Sequence, residues 1–199
     1  MTSSRNNPTR ADEDLLLDAA RDRITAVGLR RATLTDIARR AGVSRMTIYR
    51  RWPDMAALVG DVMTREWVGL IGTVGAAATG AHTRERLVTG VVEGVRTMRE
   101  HPMFRRIVDL DPEVLLPYLV DRRGASQDAM LAQISAGVAA GQADGSVRAG
   151  DVAVLAQSVL LTLQSFALSA PIMGGDLAEL DAELATLLDR YLAADGVPS

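Results

Sequence analysis

Apolar positions recur along this chain at steps of three and four, and no stretch alternates strictly, so the pattern predicts helices from end to end. Leu15, Leu16, Ala19, Ala20, Ile24 and Val27 form the inner face of a first helix that Gly28 ends. From Asp54 a longer helix carries Leu58, Val59, Val62, Met63, Trp67, Leu70 and Ile71, until the Gly and Ala residues of 72 to 81 loosen it. Leu87, Val88, Val91, Val92, Val95 and Met98 make another, broken at His101-Pro102, and Met103, Phe104, Ile107 and Val108 a short one after it. Asp111-Pro112 starts a further helix that Pro117 bends, residues 125 to 141 resume, and a loop from Gly141 to Gly150 follows. Residues 151 to 170 are apolar nearly all round, which predicts a helix covered on several sides. Leu177, Leu180, Leu184, Leu187 and Tyr191 then follow as a packing seam, with Asp176 as its cap.

The densest signal lies between these long elements, in TLTDIARRAGVSRMTIYRRW, residues 33 to 52. Thr33 suits the cap of a short helix with Asp36 completing a capping box, and Ile37 and Ala38 face inward. Ala41-Gly42-Val43 makes the turn, Gly42 where the helix must end at positive φ. Ser44 caps the next helix, Ile48 faces inward and Trp52 closes it. That leaves Arg45, Met46, Thr47, Tyr49, Arg50 and Arg51 to solvent or a partner, a basic and hydroxyl-bearing surface suited to a DNA major groove.

Charge sharpens this picture. Residues 1 to 55 hold 11 Arg against 7 Asp and Glu, whereas the remainder holds 11 against 18, so a net charge of −3 conceals a cationic N-terminal lobe and an acidic body. The absence of cysteine excludes disulfides and thiolate metal sites. No signal peptide is visible and no apolar run reaches the roughly 18 residues of a membrane span, which predicts a cytoplasmic protein with no membrane partner. His82 and His101 lie far apart and outside metal-binding spacings, and read as surface histidines. The glycines at 69, 72, 75, 80 and 90 follow no phosphate-loop motif and read as helix weakeners or close-packing points. Nothing here assembles an active site, so no enzyme and no cofactor is expected.

The run T-x-x-D-I-A-x-x-A-G-V-S-x-x-T-I-Y-x-x-W resembles the TetR family of transcriptional regulators, over roughly residues 12 to 60. One departure is local. The family usually reads Pro-Ser-Lys-Glu after the aromatic residue, whereas Trp52 is followed by Pro53, Asp54, Met55 and Ala56, so the phosphate-touching Lys has no counterpart at Met55.

The resemblance implies an all-α homodimer of about nine helices per chain. Its parts would be a disordered tail at 1–11, a three-helix DNA-binding domain with the helix-turn-helix at 12–56, and a ligand-binding and dimerisation domain at 57–199. A double-stranded DNA operator would be met by Arg45, Thr47 and Arg50 at base edges and by Thr33, Thr35, Tyr49 and Arg51 at the backbone, with Ser44 and Met46 beside them. A small, largely apolar effector would sit among Met63, Trp67, Met103, Phe104, Tyr118, Met130, Ile134, Gln164 and Phe166, although a Met or aromatic at helical spacing more often fills a core. Leu155, Leu163, Leu177, Leu180, Leu184, Leu187 and Tyr191 would form the dimer interface. The reading this favours is a repressor released from a palindromic operator by its effector. An activator on the same fold, or a helical small-molecule-binding protein or enzyme keeping the reader as scaffold, are the alternatives.

Overall fold

The structure, a computed structural model, describes residues 10–194. They form ten α-helices: α1 Arg10–Val27, α2 Leu34–Arg40, α3 Arg45–Arg51, α4 Met55–Ala77, α5 Thr83–Glu100, α6 Pro102–Leu110, α7 Leu116–Val120, α8 Ala125–Ala143, α9 Val152–Met173 and α10 Leu177–Leu192. A single 3-10 turn, Pro112–Val114, lies between α6 and α7. The all-α class read from the sequence is the class observed; strands are absent among the described residues apart from one isolated bridge between Val147 and Ala193. Of the tail expected at 1–11, positions 1 to 9 lie outside the described residues.

Capping side chains start the helices where the sequence places them. Thr33 accepts from the Asp36 amide at 3.2 Å, Ser44 from Thr47 at 3.2 Å, Asp54 from Ala57 at 2.8 Å and Asp176 from Ala178 at 2.8 Å, each meeting a donor that the first helical turn leaves unpaired. The reciprocal half of the box at Asp36 is not made. Its carboxylate is drawn instead to Arg23, Arg39 and Arg40, because three guanidiniums outcompete one neutral amide. Two expectations about helix ends change. α4 continues through 72–77, where alanines offset the interspersed glycines, and α9 extends across Pro171 to Met173.

The helices divide into two compact units, Met1–Arg65 with Pro102–Arg122, and Glu66–His101 with Arg123–Ser199. In the first, α1 packs on α2 and on α6, and α2 on α3. Leu16, Ala20, Ile24, Ile37, Ile48, Trp52, Leu58 and Met103 are among its buried side chains. The Arg106 guanidinium donates to the Thr25 carbonyl at 2.9 Å and the Leu29 amide donates to the Asp111 carboxylate at 2.7 Å, so α6 and the turn after it hold the end of α1.

In the second unit α5 packs on α8, α9 and α10. Ion pairs with buried arginines fix it against α10: Arg99 to Asp181 at 2.6 Å and Arg84 to Asp189 at 2.9 Å. Such pairs return little net stability after desolvation, but they penalise any slip of the helices that would leave a charge unpaired. α9 corrects an expectation. With 22 residues it is, among the described residues, long and apolar enough to cross a membrane. Here it is a packed element, on α5, α8 and α10.

Candidate nucleic-acid interface and small-molecule cavity

In the first unit α2 and α3 meet through the turn at Gly42, which adopts φ +71°. Ile48 and Trp52 are the buried residues of α3 and its cap, and the Trp52 indole donates to Asp61 of α4 at 2.8 Å. Pinned on that side, α3 presents the other to solvent. Arg45, Met46, Tyr49 and Arg50 are exposed, Met46 at 78%, and Arg45 has no ion-pair partner among the described residues. Thr47 is half-buried, its hydroxyl 2.9 Å from that of Ser44. Thr33 is exposed at the start of α2 and Thr35 half-buried two residues on.

Arg51 stands apart from this set. It pairs with Glu13 at 2.9 Å and Asp61 at 3.5 Å, and its guanidinium lies 5.3 Å from the Trp52 ring centre. Glu13 above all, as hydrogen-bond partner, raises its pKa beyond the ordinary arginine value. It is a strut between α1, α3 and α4. Sequence reading also passed over Arg39 and Arg40, both exposed at the end of α2, next to α3. Their pull, Arg39 first, holds the Asp36 carboxyl below the ordinary range.

The second unit contains a cavity of about 430 Å³ between the later half of α4, α5, α8 and α9. Met130 and Ile134 line it, as expected of them; so does Leu163, which was expected at the dimer interface. The other expected lining residues do not. Trp67 is 2% exposed, edge-on to the His101 ring at 5.1 Å, and that contact also takes His101 off the open surface. Gln164 and Phe166 are half-buried on other faces of α9. Met63, Met103, Phe104 and Tyr118 belong to the first unit, where the first three are buried and Tyr118 half-buried under the Arg122 guanidinium. The expectation looked to large side chains, whereas four glycines stand in the lining of this cavity. Gly75, Gly90, Gly94 and Gly137 line it, and glycines at helical spacing beside apolar residues were the available signal.

The leucine seam divides in the same way. Leu155, Leu163 and Leu184 are buried in the chain's own core, Leu184 completely, so they are unavailable to a second copy. A step of three and four marks an inward face without saying whose interior it faces. Leu177 and Leu187 are exposed, Leu180 and Tyr191 half-buried. On α9 the exposed apolar residues are Val154, Leu161, Ile172 and Met173.

The chain is similar to known proteins in sequence and in fold. Residues 16–62 match the family model described as bacterial regulatory proteins, tetR family. Uncharacterised HTH-type transcriptional regulators of Mycobacterium bovis and Mycobacterium tuberculosis are 35% identical over 179 residues, covering 89% of this chain and 92% of theirs. Among solved structures, the Rhodococcus erythropolis repressor QsdR, of the TetR family, superposes with a TM-score of 0.71 at 18% identity, over 96% of this chain and 100% of its own. SmeT, in complex with triclosan, gives 0.63 at 18% identity, over 96% of this chain and 95% of its own.

Proposed function

The chain belongs to the TetR family of bacterial regulatory proteins, and on that premise we propose that it is a homodimeric repressor, released from a near-palindromic operator by a small apolar effector. One observation carries the reading. α3 is anchored by Ile48 and Trp52 and leaves Arg45, Met46, Tyr49 and Arg50 exposed on a lobe with surplus positive charge. Arg45 suits a guanine edge, the Thr47 methyl and the Met46 thioether suit thymine methyls, and Tyr49 and Arg50 complete the footprint. Phosphate contacts fall to Thr33, Thr35 and Ser44.

Two reading heads are needed to span successive grooves, which supports a dimer. Its surface is the outer line of α9, Val154, Leu161 and Ile172, with Leu177, Leu180, Leu187 and Tyr191 of α10. Effector binding belongs to the cavity of the second unit, and the protein acts in the cytoplasm where its operator lies. The effector must bind the free form more tightly than the DNA-bound form, and DNA must weaken effector binding equally.

The test is titration of duplexes from the gene's own upstream region, across salt, against random duplexes. A tight complex at one near-palindromic site, with two chains per site, is the expected result. Equal affinity for every duplex would refute the regulatory reading.

A further inference from the structure

The cavity has a more definite shape than a compact apolar effector requires. Its lining follows α5 from Thr83 to Met98, about 22 Å at the helical rise of about 1.5 Å per residue. A cavity of about 430 Å³ drawn out along that length is elongated rather than compact. Missing side chains open the path. A Cβ at Gly94 would meet nothing within 4 Å, and one at Gly90 only the Ala78 Cβ at 3.4 Å.

The two ends differ in chemistry. Val95, Met98, Met130 and Leu163 are buried at one end, whereas Thr83 and Arg86 bring polar groups to the other, where Arg86 is exposed; Gln133 lines the stretch between, one turn from Met130. Arg86 is the only charged residue of the lining. It donates to the Gly80 carbonyl at 3.2 Å and the Thr83 hydroxyl at 2.9 Å, both neutral, and no carboxylate pairs with it among the described residues. A cation with neutral partners at the mouth of an apolar slot complements an anion attached to an apolar tail.

We propose that the cavity takes a single-chain alkyl carboxylate, its head at Arg86 and its tail along α5 toward Leu163. The inference rests on reading this cavity as the effector site. It adds the chemistry of the ligand and names Arg86 as the residue that selects it.

Calorimetry on the full chain, below micellar concentrations, compares an alkanoate series with dodecanol and dodecyltrimethylammonium. Dodecanoate should bind, affinity should rise a few-fold per added methylene until the tail outgrows the groove, and the cationic amphiphile should not bind. Dodecanol should be weaker by about tenfold, the size of a lost hydrogen bond to a charged group. Arg86→Gln should bring dodecanoate to the level of dodecanol and leave dodecanol unchanged. Gly94→Leu, which adds a helix-favouring side chain where space is open, should weaken both. Absence of binding by every alkanoate, equal affinity for acid and alcohol, or an Arg86→Gln protein that still prefers the acid would each overturn the proposal. If dodecanoate binds with this pattern while operator affinity is unchanged, the ligand chemistry stands and the effector reading fails. If a compact aromatic releases the operator and no alkanoate binds, the reverse holds.

Discussion

Arg45 and Arg51 lie at the two ends of the same basic helix, and their structural settings predict opposite losses when each is cut to alanine. Arg51 joins Glu13 at 2.9 Å, Asp61 at 3.5 Å and the face of Trp52 at 5.3 Å. Its side chain and that of Glu13 are 44% and 33% exposed, so solvent screening limits the pair to about 0.2–1 kcal/mol. The contact with the indole adds about 0.5–1 kcal/mol. Arg51→Ala should therefore cost about 1–2 kcal/mol of stability, a fall of roughly 2 to 8 °C in Tm for a chain of this size. Arg45 touches nothing comparable, and Arg45→Ala should leave Tm within experimental scatter. Its loss should appear on DNA instead, as about 1–3 kcal/mol of discrimination between operator and random duplex. Thermal melts with fluorescence anisotropy on both duplexes, over a salt series, measure both quantities. An Arg51→Ala protein with unchanged Tm, uniformly weaker binding and a salt slope lower by about one would show that Arg51 serves a phosphate and that the strut is incidental. Equal losses on both duplexes for Arg45→Ala would remove it from base reading.

Three further outcomes are expected. Leu161→Arg with Leu187→Arg should leave the protein a monomer in sedimentation, where the proposed dimer is expected of the wild type, while circular dichroism stays native, because both are exposed in the single chain; Leu184→Arg, at a fully buried position, should instead unfold it. Gly42→Ala should cost about 1–2 kcal/mol in urea melts although no atom lies within 4 Å of the added Cβ, since φ +71° is strained for any residue with a Cβ; an unchanged midpoint would mean that the turn relaxes. The depressed pKa of Asp36, caused first by Arg39, makes its contribution to stability complete above the ordinary value of 3.8 and lost as pH falls below it. The stability gap between wild type and Asp36→Asn should therefore be constant at higher pH and close in acid, and a gap that persists at the lowest pH would contradict the charge-based account.

Local chemistry settled what the sequence alone could settle. Caps at Thr33, Ser44, Asp54 and Asp176, the positive-φ glycine at 42 and the inward step of Ile37, Ile48 and Trp52 act within a few residues of themselves. Because the reading helix is built from such local rules, its exposed side chains could be named from the pattern alone. The cavity and the seam are different. Met63, Trp67, Met103 and Phe104 have the composition of a ligand pocket, but whether a large apolar side chain borders a void or fills one depends on helices distant in sequence, and here all four are buried. Gly94 marks open space, and Gly90 lies against Ala78, only because of where distant helices come to rest opposite them. Leu184 and Leu187 share one heptad pattern, yet α5 and α9 cover one and leave the other to solvent. Periodicity fixes which face of a helix avoids water, and only the packing of distant helices decides what supplies the cover.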